Sequence, residues 1–366
     1  MKKLYTLLAL TITFSMNAQV STNSTSPTGT YASAIGNGTT ASGNESTAMG
    51  YDTTASGEAS TAMGYSTTAS VQASTAMGRE TTASGNWSTA MGYNTSASGT
   101  ASAAMGRSTT ASGSYSTAMG YGTTAIGNES TAMGGNTTAS GWYSTAMGSY
   151  STATGSSSTA MGDSSAASGD YSTAMGKQTI ASDFASLVIG QNNSSGSSVT
   201  NNATSFNTAN TAFVIGNGTA TNAKSDAFKV MFNGDTTVSN DLTVSGDVVI
   251  SSDARLKSNI VSLGSTLSKL LQIDGKSYEM KGKQKIGVLA QEIQEVFPEL
   301  VSKDDNEMLA VNYQGLVPVL INALKEQDAK MKEQDAKMKE QQSEIETYRD
   351  EVSELKEMVQ LLVSKE

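Results

Sequence analysis

Apolar positions along this chain fall into three regimes. Near the start, residues 4–14 form one short apolar run behind Lys2 and Lys3. From about residue 31 to residue 190 apolar side chains are sparse but strictly periodic. Met49, Met63, Met77, Met91, Met105, Met119, Met133, Met147, Met161 and Met175 keep one phase, and Ile35 and Ile189 hold it at the two ends. After residue 251 the pattern is mixed, and it finishes in a seven-residue repeat.

The periodic part has a fourteen-residue unit: Ser-Thr-Ala-Met-Gly, two variable residues, Thr-Thr-Ala-Ser-Gly, two variable residues. Such a composition alone reads as a flexible linker. A linker has no reason to keep Met in phase over nine intervals, or eleven with Ile35 and Ile189 at the ends, and fixed periods mark stacked units. Each half-unit makes a short strand closed by a glycine turn. Alternation puts Ala48 and Met49 on opposite faces, one of them interior. With so many Ala and Ser residues the coil is thin, and at ~25 cal/mol per Å² one coil buries too little to stand alone. Neighbouring coils must stack on it, and partner chains can add a second buried surface. Met, flexible and apolar, suits that contact. The prediction is a β-solenoid over residues 31–190.

Beyond it, residues 191–251 read as a β-rich cap and neck. They begin with an Asn/Ser/Thr-rich loop, continue with a degenerate coil at 211–216, and have strand-like alternation at 227–232 and 242–250. An amphipathic helix follows around Gln291 and Glu292, with Ile293, Val296 and Phe297 as its apolar face and Pro298 as its stop. Asn312 and Tyr313 precede a second helix from about Leu316. Residues 324–366 are a coiled-coil seam. Leu324, Met331, Met338, Ile345, Val352 and Val359 hold one heptad position; Gln327, Gln334, Gln341, Tyr348, Leu355 and Leu362 hold the other. Glu326–Lys330 and Glu333–Lys337 are i,i+4 pairs, worth only tenths of a kcal/mol each.

The first nineteen residues have the parts of a secretory signal: a positive start, a short apolar run and a polar end at residues 15–19. A linker at 20–30 would follow. The expected location is therefore outside the cell or at its surface, with no transmembrane anchor.

Composition narrows the chemistry. The 366 residues contain no Cys and no His, and the net charge is −10. A disulfide framework, a cysteine nucleophile, a Ser-His-Asp triad and the usual zinc sites are excluded. The acidic balance argues against nucleic acid as a partner. No cofactor and no metal are expected. The acids of the repeat, Glu45, Glu58, Glu80 and Glu129, sit at variable turn positions, not in pairs at catalytic spacing. The aromatics Tyr51, Tyr65, Trp87, Tyr93, Tyr115, Tyr121, Trp142, Tyr143 and Tyr171 flank the half-units. They are open to two readings: tolerated turn variation, or an exposed row that binds glycans or other surfaces. The threonines form no strict T-x-T array, which argues against ice binding.

The half-units at this period resemble the heads of trimeric autotransporter adhesins of the YadA type. That likeness implies a left-handed parallel β-roll, packed as three chains, that binds host surface molecules. The membrane-anchor barrel of that family is absent, so autotransport is not implied. A second resemblance covers residues 251–330. Ser-Ser-Asp-Ala-Arg-Leu-Lys from Ser251, the block from Ile286 to Val301 and the block from Val311 to Leu320 occur in this order before a coiled coil. They resemble the C-terminal intramolecular chaperone of endosialidase-type phage tailspikes, also found in tail fibres and in the myelin regulatory factor. That resemblance implies a domain that trimerises, helps β-rich stalks fold, and cuts the chain before the Ser of S-D-x-R-x-K. The carried-over positions are Ser252, Asp253, Arg255 and Lys257, and the scissile bond joins Ser251 to Ser252.

The residue chemistry agrees with this. A Ser hydroxyl needs a base, and in a chain without His, Lys257 is the available one. It must shed its proton first, which burial or a nearby cation favours. Arg255 is either that cation or a clamp on Asp253. Gln291 and Glu292 read as packing and surface residues, and the resemblance implies that Asn312 and Tyr313 are fold residues rather than catalysts.

The expected architecture is mainly β in its N-terminal part, a left-handed β-roll of fourteen-residue repeats, then an α+β chaperone domain at 252–323 and an α-helical coiled coil, all trimeric. The expected function is an exported fibre or adhesin that assembles as a homotrimer and cleaves itself once, with a surface glycan or protein as ligand of the head. The alternative keeps the fold without cleavage, the C-terminal domain being a permanent trimerisation clamp.

Overall fold

A computed structural model describes residues 23–304 and 307–364, so the signal expected at 1–19 lies outside the described residues. The chain parts between Gly246 and Asp247 into two compact units.

The first unit is a β-solenoid of about twelve turns. Five-residue strands from Ser33–Asn37 to Leu187–Gln191 alternate along the chain with two-residue strands from Thr40–Ala41 to Ile180–Ala181. Long strands stack on long and short on short, giving a fifteen-stranded and a twelve-stranded sheet. Pairing is parallel and in register, with Ala62 opposite Ala76 and Met63 opposite Met77. Period-two alternation decides the inside: Ser46, Ala48, Thr53 and Ala55 are buried, and Thr47, Met49 and Thr54 lie between them at the surface. Both alanine columns, from Ala41 to Ala181, are completely buried and form one continuous core. Met therefore faces outward and is half-buried, with Met119 the most open of the column at 38%.

The stack ends by a change of strand direction. Thr211–Asn217 adds one more parallel strand, with Ile215 opposite Ile189. Asp226–Met231 and Thr236–Val238 then add antiparallel ones. Asp183 stands where the preceding coil has Gly169, and it is fully buried. Its carboxylate accepts from the Thr200 amide at 2.6 Å and the Thr211 amide at 2.8 Å. Asp226 accepts from the amides of Ser194 and Ser195, both at 2.8 Å. These bonds hold the 191–210 loop at the last coil and occupy donors that a bare solenoid end would leave unpaired.

The strand expected at 242–250 does not form. Its alternating residues are exposed, Leu242 at 71% and Val249 at 88%. Alternation marks a face, but a strand also needs a neighbour to bond, and this segment pairs with none among the described residues.

The second unit has two antiparallel hairpins, Lys276–Met280 with Lys283–Gly287 and Val301–Lys303 with Leu309–Val311. Helices Leu267–Leu270 and Ala290–Val296 and the 48-residue helix Leu316–Val363 complete it. Ile293, Phe297 and Val319 are its buried centre, with Leu270, Val296, Val311 and Leu316 packed around them. The apolar face of Ala290–Val296 thus meets the first turns of the long helix. Farther along, that helix runs on as a single rod. Its heptad seam is bare: Leu324, Ile345 and Leu362 are 68%, 57% and 69% exposed. Glu333 and Lys337 pair at 2.8 Å, whereas the Glu326 carboxylate is engaged on Ser265 and Thr266.

Candidate active site

Asp253 opens a single 3-10 turn, Ala254–Leu256. Its carboxylate accepts the Arg255 amide at 2.9 Å, the capping bond an Asp at this place favours. The same carboxylate accepts from the Arg255 side chain, from Nε at 3.1 Å to each oxygen and from Nη2 at 2.6 Å. This clamp holds the Asp253 carboxyl below its ordinary 3.8 and raises Arg255. Arg255 is therefore placed on Asp253, one of the two roles left open by the sequence.

The turn brings the chain back on itself. Lys257 Nζ donates to Ser252 Oγ at 2.7 Å, across five residues. At that distance a neutral amine is close enough to take a hydroxyl proton; as a donor the same amine only orients the hydroxyl. The carbonyl of Ser251 is bonded to the Ser252 nitrogen, so the hydroxyl has a target within its own backbone. Residues 251–260 are all exposed.

Downstream, the start of the helix Leu267–Leu270 is held from a distance. Glu326 accepts from the Ser265 hydroxyl at 2.7 Å, from the Thr266 amide, and from the Leu267 amide at 3.3 Å. These donors, the Ser265 hydroxyl first, keep its carboxyl below the ordinary 4.5. The Thr266 hydroxyl donates to the Val319 carbonyl at 3.0 Å. Orphan amides at a helix start are usually capped by a neighbour in sequence. Here the acid comes from 60 residues away, so no local pattern announces it.

The remaining polar residues singled out from the sequence make packing contacts. Glu292 accepts from the Asp274 amide at 3.2 Å and pairs with Lys276 at 3.4 Å. Tyr313 accepts from the Val288 amide at 3.1 Å, and the Asn312 side chain accepts from the Gly315 amide at 3.1 Å. Gln291 lines a hollow of about 350 Å³ with Tyr278, Met308 and Tyr313. Among the described residues no cluster of His, Cys, Asp or Glu is arranged to hold a metal ion. Among them also, no helix is long and apolar enough to cross a membrane.

Two family models match the chain. The chaperone of endosialidase matches residues 252–302, and that stretch begins at Ser252. The YadA head domain repeat matches residues 28–53, 55–78, 72–95, 97–123, 125–151 and 153–179. The chain joins YadA-type head repeats to a chaperone-of-endosialidase segment. This combination supports a trimeric adhesin or fibre protein with a surface or extracellular place. No curated protein matches the chain.

Proposed function

We propose that this chain is exported, assembles as a homotrimeric fibre, and then cuts itself before Ser252. The observation that carries the reading is the 2.7 Å contact between Lys257 Nζ and Ser252 Oγ, at the first residue of the matched chaperone segment.

In the proposed reaction Lys257 takes the Ser252 hydroxyl proton as Oγ attacks the Ser251 carbonyl carbon through a five-membered ring. The proton passes to the Ser252 nitrogen as the C–N bond breaks, leaving an ester. Water then hydrolyses the ester, freeing a carboxylate on Ser251 and an amine on Ser252. Because nucleophile and carbonyl share a backbone, proximity supplies much of the rate. Burial favours the neutral, proton-accepting form of an amine. Closure of further protein over this exposed pair would therefore switch the base on, tying cleavage to assembly.

Assembly is supported by two outward apolar seams: the half-buried Met column of the head and the exposed heptad seam of the long helix. The division of labour has a physical motive. Coils that all bury the same small residues can pair one step out of register at little cost. A C-terminal clamp that aligns the chains removes those slips, and its release leaves a product held by a kinetic barrier.

The full chain, Ser252→Ala and Lys257→Ala are compared on denaturing gels with intact mass measurement. Two wild-type fragments, one starting at Ser252, with both variants whole, are expected. A wild type that stays whole in folded oligomers overturns the cleavage. The full exposure of residues 251–260 favours that second reading, a permanent trimerisation clamp.

A further inference from the structure

One outward column of the head differs from the rest. The residue that follows each strand glycine is Tyr51, Tyr65, Arg79, Tyr93, Arg107 and Tyr121 in six consecutive coils, and then Gly135. Parallel register sets these side chains directly over one another. Tyr51 and Tyr65 stack at 5.1 Å with 6° between their planes. The Arg79 guanidinium lies 5.4 Å from the Tyr65 ring centre and 5.5 Å from that of Tyr93. Arg107 lies 5.8 Å from Tyr93 and 5.4 Å from Tyr121. The column is one unbroken stack in which each guanidinium is sandwiched between two rings.

The stack uses up most of the ring faces. What it leaves for a partner are edges: phenol hydroxyls and guanidinium N–H groups. Tyr51 and Tyr121 are 50% and 52% exposed, and the Arg79 side chain is 61% exposed. A sandwiched guanidinium has already lost most of its rotamer freedom, so binding an anion to its edge demands little further ordering. Coils repeat at about 4.8 Å, so the column is about 24 Å long and its two cations stand about 10 Å apart. Glu80 engages Arg79 Nε at 3.1 Å. The matching residue beside Arg107 is Ser108, and Asn94 and Gly122 flank it one coil away on either side, so the Arg107 end of the column has no acid in that position.

We infer that this column binds a linear acidic polysaccharide along the solenoid axis, with one anionic sugar at Arg107, which has no acid beside it, a second at the Nη edge of Arg79, whose Nε alone is bonded to Glu80, and a neutral sugar between. Two arginines two coils apart suit a polymer in which charged and neutral sugars alternate, rather than one charged at every sugar. Hydroxyl-rich neutral sugars meet Tyr93 between the two cations, and Tyr65 and Tyr121 beyond them. The inference extends the adhesin reading of the head and is independent of self-cleavage.

The test uses the full chain and hyaluronan oligosaccharides of about ten sugars, followed by calorimetry, with dextran and single-stranded DNA as comparison polymers. Wild type is expected to bind hyaluronan, to lose at least tenfold in affinity between 50 and 500 mM salt (roughly a Debye-length effect), and to ignore dextran. Arg107→Ala and Arg79→Ala are each expected to weaken binding about tenfold, and Arg107→Lys to weaken it too, since an ammonium lacks the planar edge. Circular dichroism and oligomer size keep folding defects apart from binding defects. Wild-type affinity in a chain carrying both Arg79→Ala and Arg107→Ala overturns the column while leaving the head free to be an adhesin elsewhere. Equal binding to single-stranded DNA overturns the charge-spacing argument. No binding by wild type, with a looser oligomer in Arg79→Ala, reassigns the column to packing between chains.

Discussion

Gly134 and Gly135 are neighbours in sequence with opposite predicted tolerance to a methyl group. Gly134 has φ of 114°, and a Cβ built on it would stand 2.0 Å from the Gly148 carbonyl oxygen in the next coil. Gly135 has nothing within 4 Å of the same added atom. The molecule carries its own control. Every coil from Gly36 to Gly190 has glycine at the first place, with φ between 94° and 128°. At the second place other coils hold Asn, Tyr, Arg, Ser, Asp, Lys or Gln. Tight approach alone does not explain the first column, because the other glycine column, which is equally close to the next coil, admits Val71 and Asp183. The positive φ makes the difference. Forcing a non-glycine residue into that region costs about 1–3 kcal/mol. Moving the strand to relieve the clash weakens ladder hydrogen bonds worth about 1 kcal/mol each. Gly134→Ala should therefore destabilise by about 3–5 kcal/mol, a fall on the order of 10 °C in melting temperature for a unit of this size. Gly135→Ala should be neutral, or stabilising by a few tenths of a kcal/mol through the unfolded chain. Thermal melting by far-ultraviolet circular dichroism reads the difference. Hydrogen exchange should place the damage between the coils of Gly134 and Gly148, because solenoid coils interact with their nearest neighbours. Equal melting of the two variants would refute the backbone argument.

Two further outcomes follow from buried and linked polar groups. The Thr95 hydroxyl is enclosed in the core with no protein partner, whereas the equivalent Thr179 donates to Ser165 at 2.9 Å. Thr95→Val is expected to raise stability by about 1 kcal/mol, seen as a higher urea midpoint at unchanged slope; a lower midpoint means the hydroxyl is satisfied and useful. Glu326 has a carboxyl held below its ordinary 4.5 by Ser265 and the amides it caps. A depressed folded value means that its stabilisation is complete above about pH 4.5 and is lost as pH falls through the folded value. Glu326→Gln should flatten that acid-side loss in urea titrations of the helical signal. Parallel pH profiles for wild type and variant would remove the Glu326 contact from the stability of this unit.

The head and the C-terminal unit solve different problems with the same device, an apolar stripe left open along an axis. In the head, small residues fill the interior completely, so Met is displaced to the outside. In the long helix, only the first turns find a core, around Val319 and Ala323, and the heptad positions beyond them stay bare. Both stripes run along their element, the helix stripe interrupted by Gln327, Gln334 and Gln341 in its first half and apolar from Ile345 to Leu362, the geometry that side-by-side packing of identical chains uses.

Period and residue size were enough to read the solenoid. A fourteen-residue repeat with Ala in one phase and Met in the other admits one stack in which like meets like, and every ladder from Ser33–Asn37 to Leu187–Gln191 obeys it. The helix face of Ile293 and Phe297 was equally plain, because its neighbours on that face are four residues apart or closer. Contacts between distant residues were not legible. Glu326 reaches Thr266 across 60 residues, and Asp183 reaches Thr211 across 28, each by a fold-dependent meeting of a carboxylate with a backbone amide. The 242–250 segment shows the converse, alternation without a neighbouring strand. The Tyr–Arg column lies between these cases. Its aromatics and its arginines share one fourteen-residue phase that can be read in the chain, but only parallel register turns equal phase into touching side chains. Local pattern sets which face a residue occupies; the path of the chain in space sets what that face meets.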